Sequence, residues 1–268
     1  MSKKFDDTRG ILFVNFIKKF FRDSSKISAL DIGCRYGLLT FEMAKTFKKV
    51  IAIDIYESAI KKIKERAKNY NNLEIYKMNI LNSNFDDNSF DLVILEGVLE
   101  WVGITNPNIS PKKVQIQTLR ECKRILKKGG ILYCGIENKL FPLYWLRDPH
   151  SYLPLTVILP RFLSKRIYAR FNDNEYYGQN ISTYWGYCKM FYKIFNNYNI
   201  MIPIPNYKFL YYLSSFNPRE LRSKAKEALK IKYPKKSFTF IIKLTTFLSL
   251  FHLTKISNNF IILCKKIK

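Results

Sequence analysis

Residues 29–40 read Ala-Leu-Asp-Ile-Gly-Cys-Arg-Tyr-Gly-Leu-Leu-Thr, an apolar run that empties into a turn with Gly33 and Gly37 and then into a helical pattern. Glycine in such a turn lets the backbone come close to a ligand, and the helix start offers it free N–H groups. Asp54 closes the next apolar run, 50–54. It lies roughly 20 residues past Asp31, where a carboxylate accepts hydrogen bonds from a ribose diol in doubly wound nucleotide-binding sheets. Two further groups could handle charge or protons. Glu96 follows the apolar run 92–95, and His150 is one of only two histidines, with an imidazole that titrates near neutrality. The five cysteines, Cys34, Cys122, Cys134, Cys188 and Cys264, are scattered, without a CxxC pair or a histidine at zinc spacing. They read as reduced thiols, and no metal site is expected.

Short branched-apolar runs at 27–32, 50–54, 73–78, 92–95 and 131–136 have the character of strands buried on both faces. Helical stretches at 38–47, 58–70 and 112–126 separate them, the last followed by Lys127-Lys-Gly-Gly130, which predicts a cationic, glycine-terminated C-cap. Strand alternating with helix predicts a parallel sheet with right-handed crossovers. Ahead of it, residues 9–23 set Ile11, Leu12, Phe16 and Phe20 at helical spacing, as an amphipathic helix laid over the core. From 137 to 180 the regularity lapses, with Pro142, Pro149, Pro154 and Pro160 in an aromatic-rich stretch whose length suggests a functional insertion. Helix 184–196, strand 198–203, charged helix 217–232 and strand 259–264 complete the pattern.

A chain of 268 residues, 47% of them hydrophobic, can bury one sizeable core. The net charge of +25 favours an anionic partner, although the lysines run through every segment, as an AT-rich coding sequence would spread them. The apolar stretch 11–17 is short, contains Asn15 and meets Lys18 and Lys19 without a cleavage site, so a cytoplasmic protein is expected. Residues 238–253 are broken by Lys243 and His252 and fall short of the roughly 18 apolar residues of a spanning helix. With Lys235, Lys236 and Lys255 they resemble a basic amphipathic element that could rest on an anionic membrane surface.

Residues 28–136 resemble the class I S-adenosylmethionine (SAM) dependent methyltransferases, especially the methyltransferase type 11-like members. The resemblance runs through Leu30-Asp-Ile-Gly-Cys-Arg-Tyr-Gly37, Ile53-Asp54, Phe85-Asp-Asp-Asn-Ser-Phe-Asp-Leu-Val93, Gly97-Val-Leu-Glu-Trp-Val102 and Leu119-Arg-Glu-Cys-Lys-Arg-Ile-Leu-Lys-Lys-Gly-Gly-Ile-Leu132. It implies a Rossmann-like α/β fold: a seven-stranded, mostly parallel sheet whose last strand is antiparallel, with helices on both faces and a lid insertion after strand 5. One domain would span 1–268, with a helical cover at 1–26, the SAM-binding core at 27–136, the substrate lid at 137–197 and C-terminal strands and helices at 198–268.

The resemblance places Asp31, Gly33, Cys34, Arg35 and Gly37 around the methionine end of SAM, Asp54 on the ribose and Ile55 beside the adenine. Asn79 and Ile80 stand where the family carries an acidic and a small residue, and Arg35 where the strictest motif has glycine. Glu96, Gly97 and Val98 would wall SAM from the acceptor. Methyl transfer is an in-line displacement on an activated sulfonium, so positioning supplies most of the acceleration. A base matters for a hydroxyl acceptor, and His150 and Glu96 are the candidates. Segments 135–139, 148–151 and 159–163 resemble a subgroup found among genes for surface glycans and secondary metabolites. A hydroxyl of a glycan or small metabolite is therefore the favoured acceptor, ahead of a membrane-associated lipid or quinone and of nucleic acid. No Asn/Asp-Pro-Pro-Tyr signature follows the fourth strand, as base-methylating enzymes of this fold often carry. The aromatics Phe141, Tyr144, Trp145, Tyr152, Tyr176 and Tyr177 are expected to form the lid.

Overall fold

The apolar runs form adjacent strands: β1 (Ser28–Ile32), β2 (Lys49–Asp54), β3 (Leu73–Lys77), β4 (Phe90–Glu96) and β5 (Leu126–Glu137). The computed structural model describes residues 3–171, 178–233 and 236–267. All five strands are parallel, in the order β3-β2-β1-β4-β5, so Asp31, Asp54, Glu96 and Glu137 come to the same edge of the sheet at the carboxyl ends of their strands. Alternation along each strand feeds two cores. Leu30, Ile32, Val93 and Leu95 face one side, while Ala29, Leu92 and Ile94 face the other. That two-sided demand is why these runs carry almost no polar residue.

Helices cover both faces. Buried side chains of α4 (Pro111–Ile125), α7 (Tyr184–Phe195) and α8 (Pro218–Leu229) pack on the first. Those of α1 (Lys3–Ile17) and α2 (Thr40–Ala44) pack on the second, with α3 (Glu57–Ala67) against β2 and β3. In α1 it is Phe13, Val14 and Ile17 that are buried, while Ile11 and Phe20 of the expected apolar stripe face outward. Helix α4 ends at Ile125, and the expected glycine C-cap does not form. Leu126 is extended, fully buried and paired with Phe90, so the strand starts at once, and Gly129 turns (φ +81°) three residues later.

β8 (Asn259–Lys265) runs antiparallel between β5 and β6 (Tyr198–Asn206), as the resemblance implies. The sheet has eight strands and not seven, because β7 (Phe209–Ser214) folds back on β6. Asn206 makes that hairpin: its Oδ1 accepts from Lys208 N and Phe209 N, both at 3.0 Å. After β5 the chain forms α5 (Pro142–Leu146) and α6 (Arg161–Phe171), and α9 (Lys236–Leu250) packs on α8 and β6. No helix among the described residues is long and apolar enough to cross a membrane.

Candidate functional site

Two cavities adjoin at the carboxyl edge of the sheet and share Gly33 and Arg35. The larger, about 300 Å³, is lined by Asp54, Ile55, Asn79 and Ile80 on one side and by Gly97, Val98, Trp101, Val102 and Ile104 on the other. Asp54 is buried, and its two oxygens accept from Arg35 N at 2.9 Å and Tyr56 N at 3.0 Å. The start of α3 takes no side-chain cap, so Asp54 ties the β1 turn to the end of β2 instead of capping that helix. Asn79 Oδ1 accepts from Leu81 N at 3.1 Å, which fixes the side chain and leaves its amide nitrogen for a ligand. A Cβ on Gly33 would stand 2.5 Å from Val98 Cγ2, and one on Gly97 2.7 Å from the Tyr207 hydroxyl; both backbones sit at positive φ. The cradle therefore needs glycine at both points.

Arg35 adopts φ +47°, the conformation a glycine would take without cost, and keeps its side chain exposed. The turn thus keeps the motif's shape despite the departure. Gly37 lines neither cavity. A Cβ there would lie 2.6 Å from Phe41 and 2.7 Å from Ile63, so this glycine lets the turn pack onto α2 and α3.

The smaller cavity, about 110 Å³, is lined by Arg9, Asp31, Cys34, Leu39 and Glu96 among others. Asp31 is buried and accepts from Thr40 Oγ1 at 2.6 Å. Burial pushes its carboxyl up to about 7, against the Thr40 hydroxyl and Arg9 and with the help of Glu96 and Asp54. Glu96 is not free to act as a base, because Arg9 of α1 pairs with its Oε2. Among the described residues its Oε1 and Arg9 Nε have no partner, the kind of buried polar atoms a charged amino-acid group would satisfy. The donors, carboxylates and glycine approach present here fit SAM.

Behind Trp101 lies a buried polar cluster. Tyr207 donates to Glu137 Oε1 at 2.6 Å, and Glu100 is fully buried beside the same carboxylate. Burial pushes Glu100 well above the ordinary carboxylate range, and the Glu137 charge adds to it. Burial would raise Glu137 as well, but the adjacent Glu100 carboxyl, His150, Lys208 and the Tyr207 hydroxyl outweigh it and hold it at about 2. His150 sits here, not in the cavity wall: its ring meets Trp101 edge-on at 4.4 Å, and its Nε2 is 3.8 Å from Glu137 Oε2. Burial lowers its pKa.

The expected aromatic lid is also displaced. Phe141 is buried against Tyr144, Trp145 and Tyr152 point to solvent, and none of the four lines either cavity; Tyr176 and Tyr177 lie outside the described residues. Trp101 supplies the aromatic wall instead. Its neighbours 97–102 belong to the matched motif, so the signal was present, but only the fold turns them toward the ligand. Arg9 gave no signal, since its partner is 87 positions away.

A family model described as a methyltransferase domain matches residues 30–134. A demethylmenaquinone methyltransferase from Staphylococcus carnosus is 30% identical over 109 residues, 40% of this chain and 41% of its own length. A ubiquinone biosynthesis O-methyltransferase from Pelagibacter ubique is 32% identical over 136 residues, 48% of this chain and 52% of its own. The chain spans about half the length of the curated relatives it matches. Among solved structures, a Listeria monocytogenes protein assigned as an S-adenosylmethionine dependent methyltransferase aligns with a TM-score of 0.58 at 15% identity, covering 97% of this chain and 98% of that one. That likeness is one of fold.

Proposed function

We propose that this chain, which through residues 30–134 belongs to the class I SAM-dependent methyltransferases, moves a methyl group from SAM to a hydroxyl oxygen of a glycan or other small metabolite. The observation that carries the reading is the pair of adjoining cavities, one edged by Asp54 and Asn79, the other by Asp31 and Glu96. Asp54 accepts from the ribose hydroxyls, Ile55 and Ile80 flank the adenine with the Asn79 amide at its edge, and Asp31, Cys34 and Glu96 receive the methionine end. When bound, SAM supplies a methyl group already activated on a sulfonium. Gly33 and Gly97 let the backbone approach, and Val98 with Trp101 forms an apolar wall beside the reacting centre. The acceptor oxygen bonds to the methyl carbon as the carbon–sulfur bond breaks, and the hydroxyl proton leaves to solvent. Neither Glu96, paired with Arg9, nor His150, behind Trp101, is placed to take it.

A second reading has an observation of its own. Helix α9 buries Phe238, Ile242 and Leu248 but exposes Phe240, Phe247 and Leu250, with Phe251 just beyond its end and Lys243 on the same side. Such a face suits an anionic membrane surface, with the protein cytoplasmic and peripheral and the acceptor a lipid or quinone. Lys235, part of the basic element, lies outside the described residues. The names of the two curated relatives favour the same acceptor class. Labelled SAM incubated with the protein and fractionated cell extract separates the readings. Label in glycan or small metabolites supports the first, label in lipid the second and label in RNA a nucleic-acid acceptor, while no transfer to any fraction overturns the activity.

A further inference from the structure

Three metal-ligating side chains meet behind Trp101. Glu100, Glu137 and His150 each offer an atom, and all three atoms lie within 4.8 Å of one another. The side chains of Glu137 and His150 are 7% and 6% exposed, and Glu100 is wholly buried. Among the described residues, no N–H or hydroxyl group partners either oxygen of Glu100, Glu137 Oε2 or His150 Nε2. Polar atoms without such partners in a dry interior are costly, and Glu100 avoids repulsion with Glu137 only by keeping its proton. The imidazole makes no hydrogen bond to either acid, because 3.8 Å exceeds hydrogen-bond reach. It points a nitrogen lone pair or N–H into the acid pair without engaging either.

We propose that Glu100, Glu137 and His150 together bind one divalent transition-series cation, such as Mn²⁺ or Zn²⁺. Two carboxylates balance its charge, and a mixed nitrogen and oxygen set suits these ions better than the all-oxygen shells of Ca²⁺ or Mg²⁺. Three ligand atoms about 2.1 Å from one centre average at most about 3.6 Å apart, so atoms that now lie within 4.8 Å of one another must draw together by up to about 1.2 Å as the ion binds. The supports are in place. Tyr207 holds Glu137 Oε1 and leaves Oε2 for the ion, and Trp101 fixes the imidazole from its edge. The ligands come from the turn after β4, the end of β5 and the insertion, so the ion ties the insertion to the sheet beside the cavity wall. This inference does not depend on which acceptor is methylated.

The test uses the full chain after treatment with a chelator, titrated with Mn²⁺ alone and, in parallel, Zn²⁺ alone. Free Mn²⁺ is read by its paramagnetic resonance signal. The expected result is one bound ion per chain, quenching of Trp101 fluorescence that W101F lacks, and a melting temperature raised by a few degrees. His150→Ala and Glu100→Gln should each weaken Mn²⁺ binding more than about tenfold, with circular dichroism melts reporting whether each variant is folded. A folded wild-type chain that retains neither ion at one per chain overturns the site. So do folded H150A and E100Q chains that bind Mn²⁺ as the wild type does.

Discussion

Asp31 should give up a proton when SAM binds. In the ligand-free chain its carboxyl titrates at about 7, so about nine-tenths of it is protonated near pH 6 and about one-tenth near pH 8. The groups facing it are the Thr40 hydroxyl, Glu96, Arg9, Asp54 and Cys34. A ligand ammonium and sulfonium added beside them favour the charged carboxylate. Binding near pH 6 should therefore release about 0.9 proton from this residue, and near pH 8 only about 0.1. Affinity should rise almost tenfold per pH unit below about 7 and level off above it. Calorimetry in buffers of different ionisation enthalpy counts the protons, and Asp31→Asn supplies the reference, since it leaves the ligand's own amino group titrating. The linkage to folding has the opposite slope. Because the folded carboxyl lies above its ordinary 3.8, the native state holds more protons between about pH 4 and 7. Its contribution, at most about 4 kcal/mol, is complete below pH 4 and fades as pH rises through 7. Equal proton release from wild type and D31N near pH 6 would refute the reasoning.

Asp54→Ala should weaken SAM binding by about 30- to 1000-fold, through loss of a charge-assisted ribose contact, in a titration by calorimetry. It also frees Arg35 N and Tyr56 N, so the melting temperature should fall; a variant that melts early yet binds at wild-type strength would remove Asp54 from the ribose. Arg35→Gly should be more stable than Arg35→Ala by about 1 kcal/mol in denaturant melts, because only glycine takes φ +47° without cost. Equality of the two would show that the turn carries no strain. Arg9→Ala leaves Glu96 buried without its counter-charge and should cost about 3–5 kcal/mol, whereas the double change Arg9→Met with Glu96→Leu should cost far less. A double change as damaging as the single one would count against the pairing.

What could be read from the chain was whatever repeats locally. The five parallel strands, the turn at Gly33 and the carboxylates Asp31 and Asp54 follow from period, spacing and a matched motif, each confined to a few neighbouring residues. Glu100, Glu137 and His150 are separated in sequence by other elements, and nothing in their local context says that three strand ends and loops converge. Arg9 reaches Glu96 only because α1 lies across the sheet edge. The sequence does not signal β7, because Asn206-Tyr207-Lys208 lacks the glycine that marks a tight hairpin, its turn being made by the Asn206 side chain. The loop position of His150 points to the acceptor side, whereas tertiary packing buries it behind Trp101.

The placement of β8 bears on how the protein is made. Its residues pair with β5 on one side and β6 on the other, and among the described residues no other strand joins those two. During synthesis, the β3-β2-β1-β4-β5 half can assemble while β6 and β7 wait as a hairpin, and both present an open apolar edge until residues 259–265 leave the ribosome. The half-built protein is thus exposed to self-association until β8 emerges, so its yield in the cell should track chaperone supply more closely than the stability of the finished fold.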